Sequence, residues 1–121
     1  MARRAREKSA SGMYYVMLKA AYRLFLDKND EEYFKTLLSR YVTFLNQAEI
    51  INTYISSQNV QMIIKENTKP ISDVIKPLCT SYARYFNRKY SVKGRVFSDR
   101  FKSLPIETDE DLEKIQKQIF N

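Results

Sequence analysis

Glu49 to Glu66 reads EIINTYISSQNVQMIIKE, and the alternation in its second half decides the architecture of the chain. Successive strand side chains point to opposite faces, so Val60, Met62 and Ile64 share one face and Asn59, Gln61 and Ile63 the other. Residues 49–66 thus read as two strands joined near Ser57 and Gln58. Asn59 and Gln61, two apart, project together. A metal or acid-base site would want His, Asp or Glu there. An amide offers one neutral carbonyl oxygen and an NH2 that only donates, which makes the pair a poor site for zinc or manganese. On local pattern alone they are ordinary polar residues of an exposed strand face.

Working outward, the upstream segment supplies a helix. Asn29 or Asp30 is placed to cap it, Glu31 and Glu32 fall at the positive end of its dipole, and Tyr33, Phe34, Leu37, Leu38, Tyr41, Phe44 and Leu45 recur at helical spacing up to about Gln47. Before it, residues 13–18 read as a strand with Tyr14, Val16 and Leu18 on one face. Downstream, Pro70 suits the first position of a second helix, whose apolar set is Ile71, Val74, Ile75, Leu78, Cys79, Tyr82, Tyr85 and Phe86. Pro77 interrupts that pattern and predicts a kink or a fresh start. The helix runs out at Arg88-Lys89-Tyr90, and Gly94 marks a turn. Residues 95–107 read as extended, Pro105 favouring an edge position. Thr108 or Asp109 caps a last helix with Leu112, Ile115, Ile119 and Phe120 on its apolar side; it reaches Asn121 with no stop signal, as in a shortened chain. The order strand, helix, strand, strand, helix, strand predicts an α+β fold of the ferredoxin-like, split βαβ kind: an antiparallel sheet with helices on one face, plus a C-terminal helix.

At 121 residues the chain is expected to form one domain, 1–121, with a basic arm over 1–11 and the last helix over 109–121. It holds no apolar run long enough to span a membrane. The single Cys79 has no intrachain partner and reads as a small core residue in a reducing cytoplasm.

Charge carries the functional signal. The net charge is +7, and it is uneven. Arg3, Arg4, Arg6, Lys8, Lys19 and Arg23 stand against Glu7 alone in the first 23 residues. Lys76, Arg84, Arg88, Lys89, Lys93, Arg95, Arg100 and Lys102 stand against Asp99 alone between 76 and 102. The rest of the chain is net acidic. Two basic blocks on an acidic background are the footprint of a polyanion binder.

Four stretches then point to a family: ARRAREKSASGMYYVMLKAAYR at the start, DEEYFKTLL on the first helix, NVQMIIKEN on the central strand and SYARYFNRKYSVKGRVFSDRFKSLPIETDED after it. Together they cover almost the whole chain, and GRVFSDRFKS is the most specific. The chain resembles the single-tyrosine HUH transposases of insertion sequences, particularly the REP-associated tyrosine transposases. The resemblance implies a ferredoxin-like core that recognises DNA hairpins with single-stranded flanks. In that family two histidines separated by one hydrophobic residue hold a divalent metal, and a tyrosine of the C-terminal helix attacks the scissile phosphate.

Carried over position by position, the histidines fall on Asn59 and Gln61 and the tyrosine on Gln118. The chain contains no histidine at all. Further departures lie at Tyr15, Ala20, Tyr22 and Arg95. The resemblance therefore implies a catalytically inactive relic with neither metal nor other cofactor, whose partner is DNA: a hairpin, or a single strand beside a duplex. Phosphate contacts are expected from Arg3, Arg4, Arg6, Lys19, Arg23, Arg88, Lys89, Arg95, Arg100 and Lys102, and base stacking from Tyr22, Tyr85 and Tyr90, with core packing the plainer role for Tyr85. Two other readings stay open. One is a residual nuclease with relocated ligands such as Glu66, Asp99 or Glu107 and another tyrosine as nucleophile. The other is a protein-assembly module without DNA binding. Family members occur as dimers and as monomers, so a homodimer is open too. If the last helix packs as in the family, Asn59, Gln61 and Gln118 are expected to meet in a polar cluster.

Overall fold

In a computed structural model of the chain, residues 8–98 and 100–120 are described, apart from the side chains of Phe44 and Phe120. The elements come in the expected order: β1 (Met13–Lys19), α1 (Lys28–Leu38), β2 (Ala48–Ile55), β3 (Asn59–Glu66), α2 (Ile71–Tyr90), β4 (Lys102–Ile106) and α3 (Asp109–Phe120). The four strands form one sheet in the order β2–β3–β1–β4, with every pair antiparallel. This is the ferredoxin-like α+β arrangement. Among the described residues no helix is long and apolar enough to cross a membrane.

Period-two alternation sets the inner face. Tyr14, Val16 and Leu18 of β1 and Val60, Met62 and Ile64 of β3 are all buried, facing α1 and α2. The helices answer at 3.6-residue spacing with Phe34, Leu37 and Leu38, and with Ile71, Val74, Ile75, Leu78 and Tyr82. Each large aliphatic side chain so buried stabilises the fold by roughly 1.5–3 kcal/mol before chain entropy is counted. Tyr82 sits among the rings of Phe25, Phe34 and Phe97, and its hydroxyl donates to the Leu24 carbonyl. Cys79 packs half-buried against this core, where burial pushes its thiol up to about 12.

Local chemistry moves several boundaries. Asp27, not Asn29 or Asp30, caps α1; its side chain accepts from the Asp30 N–H, and Asp30 reaches back as the third residue of a capping box. The first helix does not continue α-helically towards Gln47. A π-helical turn over Ser39–Phe44 widens it, so that Val42 rather than Leu45 enters the core, Leu45 being 48% exposed. Pro70 is the N-cap of α2, so the helix starts at Ile71, one residue later than expected. The helix passes through Pro77 without a fresh start, because buried Val74, Ile75 and Leu78 hold it on either side of the missing N–H. Of residues 95–107 only Lys102–Ile106 pair as a strand, joined by a single bridge between Ala20 and Phe97; Pro105 does lie on an edge strand. Thr108 caps α3, its Oγ1 accepting from the Asp111 N–H.

At the start of β1, the Glu107 carboxylate accepts from the Ser9 hydroxyl and from the Ala10 and Ser11 N–H groups, which pins residues 9–11 to the end of β4. The remainder of the expected basic arm, with Arg3, Arg4 and Arg6, lies outside the described residues.

Candidate nucleic-acid interface

The outer face of the sheet carries Tyr15, Met17 and Lys19 from β1 and Asn59, Gln61 and Ile63 from β3. Directly paired residues of antiparallel strands project to the same side, so the register assembles the rest. Lys19 pairs with Asn59; Met17 lies between Gln61 and Lys102; Tyr54 flanks Gln61 from β2. One row thus crosses all four strands as Tyr54, Gln61, Met17, Lys102. Tyr54 reaches this face only because a bulge between Ile50 and Asn52 reverses the phase of β2: Ile50 pairs with Ile64 on the inner side, Tyr54 with Gln61 on the outer.

Tyr15 donates its hydroxyl to Gln61 Oε1 at 2.7 Å, and Gln61 Nε2 donates to Asn59 Oδ1 at 3.4 Å. Burial pushes the Tyr15 phenol up, which keeps it a protonated donor. Helix α3 lies over the far part of this face. Ile115, Gln118 and Ile119 share with Tyr15, Tyr54, Gln61 and Leu104 a cavity of about 440 Å³, while Ile63 and Ile106 of the same face are buried. Gln118 and Gln61 therefore line one space, as expected of a polar cluster, although the side-chain amide of Gln118 makes no hydrogen bond to any described residue. The expected three-way amide cluster is in fact a chain of Tyr15, Gln61 and Asn59, with Gln118 at the cavity wall.

These donors do not suit a divalent metal. Both carbonyl oxygens, Gln61 Oε1 and Asn59 Oδ1, already accept hydrogen bonds, and neither is charged. Among the described residues no three of His, Cys, Asp and Glu come together as a metal site. Two of the relocated ligands considered from the sequence are engaged elsewhere: Glu66 accepts from the Ile71 N–H at 2.9 Å, and Glu107 holds residues 9–11. Asp99 lies outside the described residues.

The cations fall into three groups, with Arg100 apart from them. Lys19 and Lys102 are exposed on the outer face beside the amide chain. Arg23 and Arg95, joined by Lys93, ring a second cleft of about 390 Å³ with apolar walls that include Leu26, Phe86 and Val92. Tyr22 stands at its rim, 86% exposed. This cleft adjoins the Lys19 end of β1, because Ser98 N–H donates to the Lys19 carbonyl and Ala21 N–H to the Val96 carbonyl. Arg95 also donates through Nη1 to the Ser98 carbonyl. Arg88 and Lys89 line a further groove, between α2 and α1, with Arg84, Tyr85 and Tyr33. Arg100 is exposed at the approach to β4.

Lys89 is different in kind from the rest. Its ammonium lies 2.8 Å from carboxylate oxygens of both Asp27 and Asp30. Asp30 is fully buried and also accepts from Tyr85, from Tyr90 and from the Leu26 N–H. Burial alone would push its carboxyl up; the hydrogen bonds from Lys89, Tyr90, Tyr85 and Leu26 outweigh that and hold it well below the usual carboxylate range. Tyr85 is stacked on Tyr33 with ring centroids 4.1 Å apart, and Tyr90 packs on Phe86. Of the three tyrosines considered for base stacking, Tyr22 is largely exposed, whereas Tyr85 and Tyr90 are half-buried.

No protein-family model matches the chain, and no curated protein matches its sequence. Solved structures do match. A REP-associated tyrosine transposase bound to a REP hairpin aligns with a TM-score of 0.74 at 12% identity, over 99% of this chain and 71% of that one. A candidate transposase from Deinococcus radiodurans R1 aligns with a TM-score of 0.63 at 16% identity, over 97% and 95% of the two chains. The chain shares the fold of these two structures.

The sequence places Asn59, Gln61 and Gln118 on one site, gives no sign of Tyr54 and offers Lys93 only as one member of a basic block. The hairpin loop of three residues, 56–58, was a usable signal for Tyr54 only together with the bulge, which simple alternation does not reveal. Lys93 was visible as part of the basic block but carried no motif of its own.

Proposed function

We propose that this chain is a catalytically inactive, transposase-derived DNA-binding domain that recognises a hairpin or a junction of single strand and duplex. The observation that carries the reading is the outer sheet face. Where a metal-dependent phosphoryl transfer would need anionic or imidazole ligands beside a nucleophile, this face holds Tyr15, Gln61 and Asn59 hydrogen-bonded to one another, and Gln118 in place of a phenol. Lys19 and Lys102 keep positive charge on that same face. Two kinds of support stand beside it: a fold shared with transposases, one of them bound to a DNA hairpin, and a net charge of +7.

In this reading Lys19, Lys102, Arg23 and Arg95, with Arg3, Arg4, Arg6, Arg88 and Arg100, hold phosphates and set register, while the ring of Tyr22 stacks on an unpaired base. Lys89 contributes chiefly by bracing the C-terminal end of α2 against Asp27 and Asp30.

The test is affinity for a labelled hairpin with single-stranded flanks, against plain duplex and plain single strand, over a salt series with and without manganese. Contact with about five phosphates gives a slope of log affinity against log salt of roughly −3.5 to −4.5. Hairpin preference with that slope, indifference to manganese and intact DNA afterwards are expected. A covalent protein–DNA adduct or a manganese-dependent nick overturns the inactivity; weak binding without preference overturns the DNA reading and favours an assembly module.

A further inference from the structure

The cavity under α3 has a composition that phosphate binding does not explain. Its lining of Tyr15, Tyr54, Gln61, Leu104, Gln118 and two isoleucines contains no charged side chain, while Lys19 and Lys102 stand just outside it on the same sheet face. Cations outside and a neutral, half-apolar interior suit a nucleotide whose phosphate stays in solvent and whose base goes in. We propose that this cavity binds one unpaired nucleobase of a single-stranded DNA flank, an inference that rests on the DNA-binding function proposed above.

Three features argue for a base rather than another apolar group. Size comes first: about 440 Å³ admits a purine. Next, the walls offer an unfilled stacking surface, since Tyr54 is 45% and Leu104 58% exposed on a face whose neighbours Ile63 and Ile106 are buried. A base laid on the Tyr54 ring buries both without bringing charge into the cavity. Finally, the polar groups have capacity to spare. Tyr15 fixes the carbonyl of Gln61 and Asn59 takes one of its amide hydrogens, leaving the second; the whole amide of Gln118 makes no hydrogen bond to a described residue. A carboxamide presents a donor and an acceptor side by side, the pattern that a base edge complements. Gln118 thus becomes the reading group, Gln61 a second donor held in orientation by Tyr15, and Tyr54 the platform.

The experiment uses the whole chain and a hairpin carrying a single-stranded flank, with each flank position in turn replaced by an abasic unit or by 2-aminopurine. One position is expected to lose about tenfold in affinity when abasic, and 2-aminopurine at that position to be quenched on binding. Tyr54→Ala should cost a similar factor on the intact flank and nothing further on the abasic one, Tyr54→Phe should restore binding, and Gln118→Ala should change which base is preferred. Melting by circular dichroism checks that each variant folds; should Tyr54→Ala unfold the chain, the abasic and fluorescence series on the native protein decides alone. Tight hairpin binding with no flank position sensitive to base removal overturns the pocket and leaves the DNA-binding reading standing. Failure to bind hairpin, duplex and single strand alike overturns both.

Discussion

Asp30 and Gln61 are each the acceptor of tyrosine hydroxyls, and the two clusters around them behave as opposites. At Asp30 the oxygens receive Tyr85, Tyr90, Lys89 and the Leu26 N–H, the carboxylate is fully buried, and α1 is locked to the end of α2. At Gln61 one oxygen receives Tyr15, one amide hydrogen goes to Asn59, and the rest of the polar surface faces a cavity. A saturated, charged cluster over-determines the geometry around it, and losing any member strands the others. A neutral, half-used cluster costs little to keep and still has donors to offer. Residual hydrogen-bonding capacity, more than polarity itself, separates the part of this molecule that holds the fold from the part that is free to bind.

The sharpest way to break this contrast is Asp30→Ala. Removing the carboxylate deletes one half of the capping box, strands two tyrosine hydroxyls and removes the buried one of the two acids that hold Lys89; the expected loss is about 3 kcal/mol, a large share of the ~5–15 kcal/mol typical of a domain. Urea unfolding followed by circular dichroism measures it. A loss under about 1 kcal/mol would mean that this cluster is no more structural than the one at Gln61.

A smaller effect of the same origin is acid sensitivity. The folded Asp30 carboxyl is depressed relative to the ~3.9 of an unfolded aspartate. As pH falls, the unfolded chain therefore takes up the proton first. The stabilisation is complete above roughly pH 5 and drains away as pH drops through 4 towards the lower folded value. Asp30→Asn should flatten this part of the stability–pH curve, measured by urea midpoints from pH 7 to pH 3. Parallel curves for the two proteins would move the acid sensitivity to other carboxylates, such as Glu107, which is depressed by its bonds to Ser9, Ala10 and Ser11.

Neither cluster was fully legible in the sequence, and for different reasons. The sheet was, because Val60, Met62 and Ile64 alternate and Ile71, Val74, Ile75, Leu78 and Tyr82 step at helical spacing; both patterns depend only on near neighbours. The Asp30–Lys89 pair joins residues far apart in the chain, and a lysine that closes an internal pair looks in sequence like any other member of a basic block. At Gln61 the amide positions could be placed by alternation and by family resemblance, but Tyr54 could not, since one extra residue in β2 reverses which side chains face out. The π-helical turn after Leu38 hid Val42 in the same way, by a change of period that composition does not announce.

The smallest change in stability is expected where the contrast is most informative for function, in the double substitution Asn59→His with Gln61→His. Both positions are half-buried on an open face, so the fold should lose no more than about 1 kcal/mol. What should change is metal affinity: two imidazoles two residues apart on one strand face present neutral nitrogen donors where amides offered oxygens already in use. A micromolar site tested at a hundredfold excess of zinc would add about 2.7 kcal/mol, read as a zinc-dependent rise in melting temperature that the native chain does not show. Should the native protein show the same rise, the amides at 59 and 61 would be metal ligands after all, and a neutral cavity built for a base would no longer describe that face. Should the rise be confined to the histidine variant, this surface would be one on which two substitutions separate a metal centre from a base-reading one, with Tyr15, Lys19 and Lys102 left unchanged around either.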